Sequence, residues 1–203
     1  MKNIVEYRDH YTGRPGIVIG GGAAAPRQLA SLPADVINDA VFYAVNHHAF
    51  HLLPPHHIDH VVYMDNPLRD RHKALANIAG AVRNLDSERV LTHPGRISQN
   101  PGVSAFGLPF KGFWDGGFSS TLATWCACYM GCDPVILVGM DCYQVRNKRG
   151  SLYLDGSPDP QAAKNPLKDH IAAWRPALDH CPHPDRIVAA GGPLVEIFGR
   201  YRG

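Results

Sequence analysis

The chain has 203 residues, of which 45% are hydrophobic and 19% charged, a composition that can fill a core and argues against wholesale disorder. This length suits a single domain spanning residues 1–203. Its 20 basic and 18 acidic side chains leave a formal net charge of +2, so charge gives no reason to expect a nucleic acid or an anionic membrane as partner. No apolar run approaches the length of a membrane span and the N-terminus lacks an apolar leader core, so we expect a cytoplasmic protein.

Short apolar runs alternate with helical patterns along the chain. In order, they predict a strand at 17–19, a helix at 23–30, strands at 41–45 and 60–64, a helix at 68–82, a strand at 89–91, a helix at 118–130, a strand at 134–138, a helix at 167–178, a strand at 186–189 and a short helix at 194–198. Continuously apolar strands indicate a sheet that is buried on both faces. We therefore predict an α/β, Rossmann-like, doubly wound and mostly parallel sheet with helices on both faces.

Two long loops, at about 92–117 and 142–165, interrupt this alternation. In open parallel sheets, ligands bind beyond the carboxyl ends of the strands. The residues that follow the predicted strands are therefore the candidate site. They are Gly20, Gly21 and Gly22 after the first strand, Asn46 after the second, Asp65 after the third and Gly139-Met140-Asp141 after the strand at 134–138.

The run Gly20-Gly21-Gly22-Ala23-Ala24-Ala25 fits the pattern G-x-G-x-x-A. Amides without side chains could face a phosphate at the start of a helix, so we favour an anion-binding or nucleotide-binding turn. The alternative is a tight turn that needs a positive φ. A nicotinamide site would want an acidic residue at the end of the second strand, and Asn46 stands there instead. The sequence therefore does not favour an NAD-dependent dehydrogenase.

Ser119-Ser120-Thr121 opens a predicted helix after a glycine-rich approach, which makes it a candidate second anion site. The alternative is that one hydroxyl simply caps the helix. Asn46 could hold a ribose, a base edge or a phosphate, or could only form a turn. Asp65 and Asp141 could hold Mg²⁺ against phosphate oxygens, and Asp141 could also act as a catalytic base. A cap is the alternative for Asp65.

Histidines cluster between residues 47 and 60. His47 and His51 could lie one helical turn apart in a zinc site, but Pro54-Pro55 follows and no H-E-x-x-H pattern is present, so a solvated or half-buried face is favoured. Arg146, Lys148 and Arg149 form either a solvated loop or a lid that clamps phosphates. The five cysteines are odd in number and lack a paired C-x-x-C framework, which predicts reduced thiols that serve mainly in packing.

Three segments together resemble a known superfamily: V-I-G-G-G-A-A-A, A-V-N-H-H-A-F and S-S-T-L-A-T-W-C-A-C-Y-M-G-C-D-P-V-I-L-V-G-M-D. The pattern is similar to that of bacterial sialyltransferases, archaeal hydroxymethylpterin diphosphokinases and motility-associated flagellin-glycosylation proteins, a group with small phage-encoded members. The resemblance implies that Gly20 to Ala23, Asn46, Ser119 to Thr121 and Asp141 line a nucleotide site. The chain departs from the pattern at Ala24-Ala25, where Pro-Ser is usual, at Ser120, where Gly is usual, and at His47, where a basic residue is usual.

These features predict a transferase that binds a nucleotide or nucleotide sugar and moves a glycosyl or diphosphate group. The alternative is a non-catalytic accessory or assembly protein of phage type that retains the fold. Mg²⁺ is the expected cofactor, and no tightly bound organic cofactor is expected. The chain could also form a homo-oligomer.

Overall fold

A computed structural model describes residues 4–63, 90–92, 106–107, 118–156, 170, 174 and 181–203. Within these residues, seven strands form one sheet in the order β5-β4-β3-β2-β1-β6-β7. The strands are β1 (Gly16–Ile19), β2 (Val41–Val45), β3 (His60–Tyr63), β4 (Val90–Thr92), β5 (Phe106–Gly107), β6 (Val135–Val138) and β7 (Ile187–Ala189). Every pair of neighbouring strands is parallel. The chain therefore has the predicted Rossmann-like α/β fold.

Four α-helices lie within the described residues: α1 (Ala25–Ala30), α2 (Ala34–Asp39), α3 (Ser119–Tyr129) and α4 (Val195–Phe198). Short 3₁₀ helices occupy Ile4–Tyr7, His48–His51, Pro55–His57 and Pro184–Arg186. Pro26 stands in the first turn of α1, where its missing N–H costs nothing. α3 is the longest of the four and packs on β1, β2, β3 and β6.

Successive residues of each strand point to opposite faces of the sheet, and apolar side chains cover both faces. Val18 of β1 belongs to a cluster that includes Leu122 of α3. Its neighbours Ile17 and Ile19 belong to a second cluster, which includes Ala25 of α1. Burial on both faces explains why the strands are continuously apolar rather than alternating.

The six predicted strands are confirmed to within one residue at either end where the structure describes them. β5 was not predicted and lies inside the expected loop at 92–117, and α2 was also not predicted. The predicted helix at 68–82 lies outside the described residues, as does most of the helix at 167–178. All five cysteines are free, and Cys126, Cys128 and Cys132 are buried in the core. Among the described residues, no helix is both long and apolar enough to cross a membrane.

Candidate functional site

A cleft lies beyond the carboxyl ends of β1, β2 and β6, next to the first turn of α3. Most of the residues predicted for the site line this cleft, namely Gly20, Gly21, Gly22, Asn46, Ser119, Ser120 and Asp141. Ala23 and Thr121 do not line it, although they adjoin residues that do. Asp65 lies outside the described residues. The parallel sheet therefore brings the glycine turn and the serine-rich helix start to one place.

The amides of the glycine turn are largely engaged within the protein. Gly20 donates to the Val138 carbonyl at 2.8 Å, and Gly22 donates to the Gly139 carbonyl at 2.9 Å. The amide of Ala23 donates to the Leu152 carbonyl at 3.1 Å. These bonds fix the turn against the end of β6 and against the loop that follows it. The turn lines the cleft, but these three N–H groups already have acceptors.

Close packing explains why three consecutive glycines occur here. A Cβ atom on Gly21 would stand 2.5 Å from Cδ2 of His48. One on Gly22 would stand 2.5 Å from Oδ2 of Asp141. Both distances are far below van der Waals contact, so only glycine lets these two side chains approach the backbone. The turn therefore seats His48 and Asp141 at the wall of the cleft.

Asp141 is buried, with 2% of its surface exposed, and it closes the space at the start of α1. Its Oδ2 accepts a hydrogen bond of 2.7 Å from the Ala24 amide, and its Oδ1 lies 3.5 Å from Nε2 of Gln28. Burial raises the pKa of this carboxyl above its ordinary value, and the Ala24 amide, Arg27 and Gln28 oppose that rise. Among the described lining residues, Asp141 is the only carboxylate.

The first turn of α3 has no side-chain cap. Its N-cap residue is Phe118, so the alternative interpretation, that a hydroxyl of this segment caps the helix, is wrong. Thr121 instead donates from Oγ1 to the Phe118 carbonyl at 2.8 Å. Ser120 is half-buried at the cleft, and the first helical backbone bond runs from the Leu122 amide to the Phe118 carbonyl. The positive end of the helix dipole therefore faces the cleft.

Asn46 directly follows β2 and has a left-handed conformation, with φ of 58°. Asparagine tolerates this conformation better than most residues, so the chain can turn sharply here into the histidine segment. Its side-chain Oδ1 is buried and has no hydrogen-bond partner. Asn46 lines the cleft, so a ligand with a donor group could satisfy this oxygen.

The sharp turn at Asn46 delivers three histidines to one carboxylate, that of Asp155. Oδ2 of Asp155 lies 3.3 Å from Nε2 of His47, 3.1 Å from Nδ1 of His48 and 3.5 Å from Nε2 of His51. The contact with His48 is a hydrogen bond. We call these four residues the histidine cluster. The favoured prediction of a solvated or half-buried face fits His51, which is 53% exposed, but not His47 and His48, which are buried.

His47 is the most constrained member of the histidine cluster. It is 4% exposed, and neither of its ring nitrogens has a hydrogen-bond partner. Burial, reinforced by the nearby His48, lowers the pKa of His47 to about 4, although Asp155 acts in the opposite direction. His47 is therefore a neutral imidazole at pH 7, with a lone pair available on one nitrogen.

Asp155 reaches the cluster because its segment pairs with the glycine turn. Gly22 and Tyr153 form an antiparallel bridge, and the Leu154 amide donates to the Gly21 carbonyl at 2.9 Å. The Tyr153 ring stacks on His48, with ring centroids 4.4 Å apart. Residues 152–154, in the middle of the loop expected at 142–165, are therefore anchored at the site.

Sequence reasoning did not identify Asp155, which lies more than 100 positions after the histidines. The spacing of His47, His48 and His51 was the available signal, but no partner could be assigned to them from sequence alone. His170 also lines the cleft, where its ring packs against Phe118 and Tyr143. The basic residues Arg146, Lys148 and Arg149 are exposed and do not line the cleft.

Comparison with known proteins gives no relative: no family model, no curated protein and no solved structure matches the chain. The resemblance to the sialyltransferase and diphosphokinase superfamily therefore stays a prediction that rests on the three sequence segments alone.

Proposed function

We propose that the cleft binds the phosphate groups of a nucleotide or nucleotide sugar, and that the protein transfers a glycosyl or diphosphate group from that ligand. One observation carries the proposal: the glycine turn, Asn46 and the first turn of α3 line the same cleft. The cleft also lies beyond the carboxyl ends of parallel strands, which is where open α/β sheets usually bind ligands.

The start of α3 is the group best suited to hold a phosphate. The eleven-residue helix carries a partial positive charge at its N-terminus, and its N-cap residue, Phe118, makes no side-chain capping bond there. Ser120 adds a hydroxyl at the same point. Because several amides of the glycine turn already donate within the protein, α3 rather than that turn would supply the main phosphate contacts.

Asn46 supports a ligand that offers hydrogen-bond donors. A buried acceptor without a partner costs about 1–3 kcal/mol, so a ribose hydroxyl or a base amino group placed at Oδ1 would recover part of that cost. The described walls enclose about 130 Å³, which suits a compact group such as a phosphate or one ring. The remainder of a nucleotide would then extend past these walls.

Asp141 is the candidate catalytic residue, since it is the only carboxylate among the described lining residues. A pKa raised by burial suits a group that takes and returns a proton during transfer. The same carboxylate could instead hold Mg²⁺ against the phosphates, with Asp65 as the other expected ligand. Turnover that requires Mg²⁺ would support the metal-binding role, whereas turnover without Mg²⁺ would support proton transfer.

Isothermal titration with CMP, CMP-sialic acid, ATP and GTP, with and without Mg²⁺, tests the proposal. Ser120→Asp places a negative charge in the first turn of α3, which favours the helix but repels phosphate. We expect binding at least about tenfold weaker than in the neutral, isosteric control Ser120→Asn, without loss of stability. No heat from any of the four ligands would overturn the proposal, as would equal affinity of the two variants.

Chromatography of the products after incubation with the bound ligand tests catalysis separately from binding. Asp141→Asn keeps an oxygen for the Ala24 amide but cannot accept a proton, so it should bind ligand and lose turnover. Binding by the unchanged protein without any turnover would contradict the transferase and favour the non-catalytic alternative.

A further inference from the structure

The histidine cluster has the spacing of a metal site. Its three nitrogen–oxygen distances to Oδ2 of Asp155 are 3.3, 3.1 and 3.5 Å. Ligand atoms on a tetrahedral zinc ion, with bonds of about 2.0–2.2 Å, lie roughly 3.3–3.6 Å from one another. One ligand atom from each of His47, His48 and Asp155 also lies within 4.8 Å of the other two. A single ion could therefore contact all three with small side-chain movements.

We propose that His47, His48 and Asp155 bind one divalent transition-metal ion of the zinc class. This inference goes beyond the nucleotide-binding cleft and does not depend on it. Imidazole nitrogens with one carboxylate oxygen suit Zn²⁺ or Co²⁺, whereas Mg²⁺ prefers a shell of oxygens. The site would thus be distinct from the Mg²⁺ position expected at Asp141.

An unsatisfied histidine supports the proposal independently of the spacing. His47 is more than nine-tenths buried, and both of its ring nitrogens lack a hydrogen-bond partner. Buried polar groups in proteins nearly always have partners, whereas Nε2 of His47 has only the Asp155 carboxylate at 3.3 Å, without a well-formed hydrogen bond. An ion bound to Nε2, 3.3 Å from Oδ2 of Asp155, would satisfy this nitrogen.

The surrounding structure holds the ligands in place without an ion. Tyr153 stacks on the ring of His48, and Gly21 leaves room for that ring. Backbone pairing between the glycine turn and residues 152–154 positions the neighbouring Asp155. His51 is half exposed to solvent, so an ion could enter from that side. Such supporting contacts are typical of metal sites.

The metal content of the full chain tests the proposal directly. After equilibrium dialysis of the full chain against Zn²⁺ or Co²⁺, elemental analysis should give one ion per chain. Bound Co²⁺ should show the intense visible absorption of tetrahedral coordination. His47→Gln and Asp155→Asn should each weaken binding at least about tenfold, because each removes one ligand of the ion.

His56 and His57 provide matched controls, because both are exposed histidines of the same segment outside the cluster. His56→Gln and His57→Gln should bind Zn²⁺ like the unchanged protein. If circular dichroism shows that His47→Gln does not fold, the isosteric variant Asp155→Asn and the Co²⁺ spectrum of the unchanged protein still test the proposal. Sub-stoichiometric metal in the unchanged protein would overturn the proposal, as would equal losses in the cluster and control variants.

Discussion

Gly21 has no room for a methyl group, because a Cβ atom there would stand 2.5 Å from the ring of His48. In Gly21→Ala, the ring must move or the glycine turn must shift. We expect the free energy of unfolding to fall by about 1–3 kcal/mol, as in other overpacked sites. Zn²⁺ binding should weaken as well, since His48 is displaced.

Urea denaturation and Zn²⁺ titration of Gly21→Ala measure the two effects. Gly191→Ala is the control, because its Cβ would come no closer than 3.1 Å to another atom, at Nε2 of Gln28. Its unfolding free energy should change less, and its metal affinity should stay the same. Equal behaviour of the two variants would contradict a specific role of Gly21 in seating His48.

Asp141 makes stability depend on pH in an unusual direction. Burial raises its pKa above the ordinary value of 3.8, so the folded state favours the protonated carboxyl. Asp141 therefore contributes fully to the free energy of unfolding below the pKa that it has in the unfolded chain. This contribution is lost as the pH rises through the higher pKa of Asp141 in the folded protein. The unchanged protein should therefore lose stability relative to Asp141→Asn as the pH rises from about 4 toward neutrality.

Urea midpoints of the two proteins, measured across this pH range in the presence of a chelator, test the pH dependence of Asp141. The difference between the two urea midpoints should change with pH and then become constant above the pKa of Asp141 in the folded protein. A constant difference throughout would show that burial does not raise the pKa of Asp141.

At the level of elements, α3 is the main packing helix of the described residues. Leu122 is fully buried and belongs to the cluster that covers one face of the sheet. Leu122→Ala should lower the free energy of unfolding by about 2–5 kcal/mol, since it leaves a cavity under β1 and its neighbours. Val5→Ala, at a residue 51% exposed, should change it by about 0.5 kcal/mol or less. Similar urea midpoints for both variants would contradict this account of the core.

The strands could be predicted because burial on both faces leaves a continuous apolar run, as in Val135–Val138. α2 gave no comparable signal, because it has six residues and none of them is buried. β5 has only two residues, in a stretch rich in glycine and proline. Elements this short are stabilised by their neighbours rather than by their own sequence pattern.

Most of the cleft could be predicted because strand ends converge by a general rule of parallel sheets. The histidine cluster could not, because Asp155 reaches it through tertiary contacts formed by a distant loop. The role of the glycines was also hidden, since G-x-G-x-x-A describes a turn but not the side chains packed against it.

For the molecule as a whole, the strand order explains why the residues that line the cleft lie at one edge of the sheet. β1 lies between β2 and β6, so the residues after all three strands meet. Those residues are Gly20 to Gly22, Asn46 and Asp141. α3 precedes β6 in the chain and begins at the same edge. The fold thus places the cleft and the histidine cluster side by side, with His48 belonging to both.

Main-chain pairing at Gly21 to Ala23 has a consequence for how distant relatives could be found. The bonds that join residues 152–154 to the glycine turn run from backbone to backbone, so this pairing does not depend on the side chains of residues 152–154. A search for remote homologues would gain most from a spaced pattern: three glycines after a strand, Asn-His-His after the next, and one aspartate far downstream. Overall identity between such sequences could fall very low while the arrangement of these few atoms persists.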